Sequence, residues 1–216
     1  MTTNKKRVDK VVISPPNFEL AEFHLTGDTS LLQHRFASRV KSEIRATQEA
    51  GSTTKKGTKK ESRDFERDFR EACHVSTEGW YGIPAAAFRN AMVSACRLCG
   101  FKMTHAKLSV FATADGFEED GTPLVRITKG KPVMDVRPVR LPNGTMTLAS
   151  RARYPQGWKA KLVVKFDADQ FTVADITNLV IRVGTQIGIQ EGRHDSRKST
   201  GLGMGTFLID ENGGKK

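Results

Sequence analysis

The sequence predicts one domain of the α+β class, and three observations support this class. Apolar residues alternate along 18–25 and, over a longer stretch, along 158–166, which is the pattern of strands that bury one face. Residues 84–99 and 172–187 instead carry apolar residues at helical spacing. A short apolar segment at 206–209 follows the second helix, so helices and strands are interspersed along the chain.

The first third of the chain predicts an arm, one strand and two helices. Residues 1–17 are polar and basic and end in a proline pair, so we expect a flexible arm there. The strand at 18–25 ends at a Gly-Asp turn, and helices are predicted over 31–47 and 62–73. Between the helices, residues 51–61 (GSTTKKGTKKE) predict a Lys-rich loop, because Gly, Ser and Thr favour irregular backbone.

The middle of the chain predicts a helix followed by several strands. Pro84 suits the first turn of a helix and Gly100 suits its end, and the apolar residues between them lie on one face. A strand is then predicted over 106–112. Further strands are predicted at 124–127, 132–139, 145–148 and 158–166, the last of which is long and apolar enough to be central.

The last helix has a recognisable beginning. Thr172 is the predicted N-cap, and Asp175 favours the first turn. Its predicted buried stripe is Ile176, Leu179, Val180, Val183 and Ile187. A glycine-rich loop, a strand at 206–209 and a polar tail at 211–216 complete the chain.

The order of these elements predicts a topology. Within 18–210 it runs strand, helix, strand, strand, helix, strand, which is a split βαβ arrangement of the ferredoxin-like or RNA-recognition-motif-like kind. Residues 113–157 would be an inserted β-region between the two halves. We therefore expect a single domain with this core and a glycine-rich C-terminal loop.

Composition restricts the function classes. A net charge of +11 and an isoelectric point near 9.8 predict a polyanionic partner or an acidic surface. The longest apolar runs are too short for a membrane span, and the N-terminus lacks the apolar segment of a secretory signal, so we expect a cytoplasmic protein without membrane contact.

The three cysteines are an odd number, which argues against a disulfide framework. Cys96 and Cys99 form a C-x-x-C sequence, but a second such pair or a His pair is absent. We expect two small buried helical residues there. The sequence predicts no cofactor and no metal site.

Basic residues are concentrated between Gly121 and Phe166, where ten Lys and Arg stand against one acid, Asp135. The turn at 142–144 predicts one basic hairpin, on which Arg151 and Arg153 share a face. Such cations can follow successive phosphates, although a solubilising surface would have the same composition. The candidate nucleic-acid-binding residues here are Arg137, Arg140, Arg151, Arg153, Lys159 and Tyr154, the last as a base-stacking ring.

A second basic cluster begins in the first predicted helix and continues into the Lys-rich loop. Arg35 and Arg39 are separated by one helical turn and point together. The loop is either a basic finger that orders on nucleic acid or a plain linker. The candidates in this cluster are Arg35, Arg39, Lys41, Arg45, Lys55, Lys56, Lys59 and Lys60.

The glycine-rich loop, 188–205, combines five glycines with hydroxyl and basic side chains, which suits contact with a phosphate backbone. A long turn that closes a sheet edge is the plainer interpretation. The loop leads into a strand, so it is not a dinucleotide fingerprint, and it lacks the P-loop spacing. Its candidate residues are Arg193, Arg197, Lys198, Gly201 and Gly203.

The order helix, basic glycine loop and Gly-x-Gly-x-Gly-x-Phe strand, 201–207, resembles the C-terminal signature of the RAMP superfamily. These RNA-recognition-motif-like proteins build CRISPR effector complexes and process their guide RNA. The resemblance implies a non-catalytic backbone subunit that binds single-stranded RNA or DNA, RNA being favoured. It also implies a homo-oligomer along the strand, with other effector-complex subunits as further partners.

Other functions remain open at this stage. Within the same family, His34 or Asp28 would be the candidate catalytic residue of a ribonuclease. Binding to the phosphate backbone of a single strand would also suit a single-strand annealing or recombination protein. A basic structural protein of some assembly is a further alternative.

Overall fold

The computed structural model describes residues 13–49, 51, 62–140, 143–195 and 201–210. These residues form a mixed α+β fold with antiparallel sheets. In chain order the elements are β1 (Phe18–Gly27), β2 (Leu31–Gln33), α1 (Ser38–Glu49), α2 (Phe65–Ala72), β3 (Gly82–Pro84), α3 (Ala85–Ala95), α4 (Met103–Ser109), β4 (Val110–Thr113), β5 (Gly116–Phe117), β6 (Pro123–Lys129), β7 (Val133–Arg140), β8 (Met146–Tyr154), β9 (Lys159–Asp167), α5 (Val173–Arg182) and β10 (Phe207–Ile209). A 3₁₀ turn, Cys96–Cys99, extends α3, and a π-helical turn, Val183–Ile187, extends α5.

The larger sheet is organised around β9. Its strand order is β10-β1-β9-β6-β3, and β4 also pairs with β9 while β5 pairs with β6. The strand predicted at 158–166 is expected to be central. This is confirmed, because β9 hydrogen-bonds to β1, β4 and β6. The alternation is confirmed as well: the residues on its inner face are all buried, namely Trp158, Ala160, Leu162, Val164 and Phe166.

Two helices cover the inner face of this sheet. Helix α3 begins after Pro84 and its extension ends at Gly100, which is left-handed with φ +70°. Helix α5 begins with a capping box in which Thr172 and Asp175 bond each other's backbone N–H groups. Its predicted stripe is buried as expected, and it packs with α3 and β1 into the main hydrophobic core.

The smaller sheet has the order β2-β8-β7. Helix α2 packs on β8, where the Ser150 hydroxyl donates to the Phe65 carbonyl oxygen at 2.9 Å and Ala152 contacts Ala72 and Cys73. The far ends of β7 and β8 extend beyond this helix as an exposed ribbon. The predicted inserted β-region is thus divided, since β6 belongs to the larger sheet and β7 and β8 to the smaller one.

Two helix and strand predictions are wrong. Residues 31–33 form a strand, because Leu31 and Leu32 are buried against β8, and the helix begins only at Ser38. Residues 103–109 form helix α4, and the strand predicted from 106 starts at Val110. The helix buries Ala106 and leaves Leu108 exposed, which a strand with Leu108 and Val110 on one face would not do.

All three cysteines are free thiols. Cys73 and Cys96 are buried, whereas Cys99 is exposed, contrary to the expectation that both residues of the C-x-x-C sequence are buried. Among the described helices, none has the length and apolarity needed to cross a membrane.

Candidate nucleic-acid interface

Positive charge is distributed unevenly between the described fold and the rest of the chain. Of 35 Lys and Arg and 24 Asp and Glu, 12 and 3 respectively lie outside the described residues. The described residues therefore carry 23 cations against 21 anions, and nine of the eleven excess positive charges belong elsewhere in the sequence. These charges are concentrated at 1–12, 52–61 and 196–200. The folded body itself is almost neutral.

On β7 and β8, two of the predicted arginines share one acid. Arg137 donates hydrogen bonds from two guanidinium nitrogens to Asp135, and Arg153 Nε lies 3.2 Å from Asp135 Oδ2. The Asp135 side chain is only 9% exposed, so this carboxylate is committed to the pair. Hydrogen bonding to Asp135 raises the pKa of Arg137. Arg140, at the exposed end of β7, pairs with no acid among the described residues and donates only to the Gly144 carbonyl oxygen.

Arg151 is a structural residue. Its side chain is 8% exposed and forms a two-pronged pair with Glu191 of the glycine loop, with Nε 2.7 Å from Oε2. A fork of this kind fixes both partners in position. It joins β8 to the loop and is reinforced by the backbone N–H of Glu191, which donates to the Leu32 carbonyl oxygen at 3.1 Å.

Tyr154 and Lys159 are also engaged. The Tyr154 ring is fully buried and meets Tyr81 edge-on at 6.1 Å between ring centroids, so it is a core residue rather than an exposed stacking surface. Burial strongly raises the pKa of its phenol. Lys159 Nζ donates to Asp210 at 2.8 Å.

The basic residues predicted on the first helix meet acids as well. Arg35 donates to the buried Glu118 at 2.8 Å, and Glu118 also contacts His74 Nδ1 at 2.6 Å. The other ion pairs are Arg39 with Glu43 and Glu71, Lys41 with Asp120, and Arg45 with Glu49. The Lys41 ammonium and Thr122 hold the pKa of Asp120 well below its usual range. The candidates Lys55, Lys56, Lys59 and Lys60 lie outside the described residues.

A cleft of about 720 Å³ separates α1 from α2 and β8. Its lining is mixed: cations Arg35, Arg39, Arg63 and Arg67, acids Glu43, Asp68 and Glu71, and the apolar Phe36 and Val40. The sequence does not single out Arg63 and Arg67 as binding candidates, because they lie in a segment where basic and acidic residues alternate. Ser62, where the chain leaves the Lys-rich segment, lines the same cleft.

In the glycine loop, packing requires glycine at Gly188 and Gly205. A Cβ at Gly205 would lie 2.0 Å from the Ile189 carbonyl oxygen, and one at Gly188 would lie 2.9 Å from that of Met204. Gly192 packs on the Met204 side chain. All three have positive φ, which a side chain tolerates poorly. This part of the loop therefore closes on itself, as the plainer interpretation expected.

The remaining loop candidates lie at its outer end. Gly201 is exposed, and a Cβ on Gly203 would meet only the His194 ring. Arg193 donates to the Gln190 carbonyl oxygen at 2.9 Å. Arg197 and Lys198 lie outside the described residues. Of the five loop glycines, Gly201 and Gly203 are therefore the two that packing leaves open to a ligand.

The two catalytic candidates are not brought together. His34 lines the cleft with its Nδ1 3.6 Å from Glu191 Oε2, and partial burial lowers the pKa of its imidazole against the opposing pull of that carboxylate. Asp28 is exposed after β1, where it contacts the Thr206 hydroxyl at 3.5 Å. No group of three or more His, Cys, Asp or Glu side chains suited to a metal ion occurs within the described part of the chain.

Comparison with known proteins gives no assignment. No protein-family model matches the sequence, and no curated protein matches it.

Proposed function

We propose that this protein binds single-stranded nucleic acid, with RNA preferred over DNA, and assembles as repeated copies along the strand without cutting it. The observation that carries the proposal is the separation of charge. The described residues are nearly neutral as a set, whereas segments 1–12, 52–61 and 196–200 are strongly cationic. Segment 52–61 directly precedes Ser62 of the cleft in sequence, and 196–200 belongs to the glycine loop. Cations without acidic neighbours in sequence are those that release counterions when they meet phosphates.

The strand order supports the resemblance to the RAMP superfamily. Strands β10, β1, β9 and β4 are adjacent in that order, and each neighbouring pair is antiparallel. Helix α3 lies in the connection from β1 to β4, and α5 lies in the connection from β9 to β10. This arrangement supports the proposal of a ferredoxin-like split βαβ core.

Exposed apolar side chains support assembly. Strands β7 and β8 expose Met134, Val136, Met146 and Leu148, and the α1 region exposes Phe36 and Ile44. Apolar groups clustered on two separate surfaces favour contacts between copies. Contacts between two different surfaces join copies head to tail and generate rings or filaments.

Salt dependence tests the binding proposal. Replacing Lys59 and Lys60 with Gln removes two charges of the Lys-rich segment, and replacing Lys102 and Lys107 with Gln removes two exposed charges at α4 as the matched control. For single strands, each phosphate contact contributes about 0.7 to the slope of log affinity against log salt. We expect the K59Q/K60Q slope to be shallower by about 1.4 and the control slope to be unchanged.

The measurement is fluorescence anisotropy of labelled single-stranded RNA and DNA over a series of salt concentrations. Light scattering of the same samples reports the number of copies bound along a strand. Equal slopes for both double variants would show that the Lys-rich segment makes no phosphate contact. Absence of binding at low salt would refute the proposed function itself.

A further inference from the structure

A second groove, of about 320 Å³, lies between α3 and the glycine loop. Its lining combines two small apolar side chains of α3, Ala87 and Ala91, with the polar Asn90, Ser94, Gln190 and Arg193. A volume near 300 Å³ is at the small end of ligand sites and is sufficient for one nucleoside. Small apolar side chains leave room for a flat ring to lie against the helix.

Two carboxamides face this groove without partners. Within the described part of the chain, neither the Asn90 nor the Gln190 side chain takes part in a hydrogen bond. Each carboxamide carries both a donor and an acceptor, and this combination pairs with the N6 and N7 positions of adenine in a two-pronged manner. The groove therefore offers the chemistry that reads a base edge.

The backbone at Gln190 is unusual. It is the one non-glycine residue with positive φ, +63°, among those that the structure describes. Holding a side-chain-bearing residue there costs on the order of 1 kcal/mol, which a glycine would avoid. The conformation is enforced on both sides, because Ile189 N–H donates to the Gly205 carbonyl oxygen and Glu191 N–H donates to that of Leu32. This fixed backbone sets the point at which the Gln190 side chain leaves the loop, at the lining of the groove.

The charges around the groove suit a nucleotide. Its two acids are already neutralised, Glu191 by Arg151 and Asp195 by Arg97, whose NH2 lies 2.8 Å from Asp195 Oδ1. Arg193, which also lines the groove, donates to a backbone carbonyl oxygen and keeps its positive charge. A phosphate attached to a base in the groove would therefore not face an unpaired carboxylate.

We propose that this groove binds one base of the single strand, adenine in preference to the other bases, through Asn90 and Gln190. The inference rests on the proposed function and adds base selectivity to it. The two carboxamides are far apart in sequence, and only the packing of α3 against the loop brings them to one groove.

The test compares the affinities of labelled oligoribonucleotides made of A, U or C alone, measured by anisotropy with the full-length protein. We expect the A oligomer to bind about tenfold more tightly than the others. Asn90→Ala and Gln190→Gly should each reduce that preference. Asn178→Ala, which removes an exposed carboxamide from α5, is the matched control and should retain it.

Gln190→Gly separates binding from folding. Because it relieves the positive φ, this variant should be at least as stable as the wild type. Equal, salt-dependent affinity for all three oligomers, or a preference that survives in both groove variants, would overturn the base site and leave the proposed function in place. Absence of binding to any oligomer would overturn both.

Discussion

Gly205→Ala should destabilise the protein far more than Gly201→Ala. Both glycines have positive φ, +73° and +64°, so alanine pays a similar backbone penalty of about 1 kcal/mol at either position. At Gly201 a Cβ has no described atom within 4 Å, whereas at Gly205 it lies 2.0 Å from the Ile189 carbonyl oxygen. The pair therefore isolates the steric effect from the backbone effect.

The size of the destabilisation depends on which atoms must move to make room for the new Cβ. Backbone atoms cannot yield as a flexible side chain does, so the segment around Gly205 has to shift away from Ile189. That shift would lengthen or break two hydrogen bonds. In one, Ile189 N–H donates to the Gly205 carbonyl oxygen at 3.0 Å, and in the other, Gly205 N–H donates to the Ser30 carbonyl oxygen at 2.9 Å. Each is worth about 1 kcal/mol, so we expect a total loss of about 3 kcal/mol for Gly205→Ala against about 1 for Gly201→Ala.

Urea unfolding followed by circular dichroism measures both free energies of unfolding. A difference of about 2 kcal/mol corresponds to a difference in Tm of about 4 to 8 °C for a chain of this size. If the two variants were equally stable, the close packing of the glycine loop on Ile189 would be refuted. The loop would then have to be treated as an open segment, as a ligand-binding interpretation of all five glycines requires.

Two further predictions concern groups buried between elements. Arg151→Met should lower the free energy of unfolding by about 2 kcal/mol, because it removes two charge-assisted hydrogen bonds to the partly exposed Glu191. Arg140→Met, on the exposed end of β7, should leave the urea midpoint unchanged, and equal midpoints for the two variants would contradict the structural role of the pair. Burial lowers the pKa of His74 against the opposing Glu118, so the folded protein keeps the ring neutral while the unfolded chain takes up a proton below about pH 6.5. The free energy of unfolding should therefore fall as pH drops from about 7 to 5. His74→Asn, which cannot titrate, should show a smaller fall when urea unfolding is measured at several pH values. Identical pH profiles for the variant and the wild type would contradict this role of His74.

Most of the core could be predicted because its signals are local. Alternation along β9 and the helical stripe of α5 follow from neighbouring residues, and the Thr172 cap needs only a three-residue interval. Segment 31–33 could not be predicted in this way, because three residues become a strand only through pairing with distant β8. The α4 segment failed for a related reason: a seven-residue helix buries so little that alternation and helical spacing cannot be told apart.

The candidate site was harder to predict than the fold because charge is neutralised over long sequence distances. Spacing along β8 correctly places Arg151 and Arg153 on one face, but Glu191 follows 40 residues later and Asp135 lies on another strand. A count of charges along one segment cannot include such partners. Such a count therefore overestimates the positive charge of a folded sheet. It also ranks the sheet and a segment such as 52–61 as equally good candidates for binding phosphates.

This difference bears on where a strand would bind. An arginine already paired with a buried carboxylate must give up that pair before it meets a phosphate, and breaking a buried pair costs several kcal/mol. A lysine surrounded by Ser, Thr and Gly in sequence has no acid close by to give up, apart from Glu61 at the end of its segment. Phosphate contacts should accordingly come first from the cationic segments, with the folded body supplying position. Selectivity for a base then requires a built groove, and the one between α3 and the glycine loop has side chains of the right chemistry.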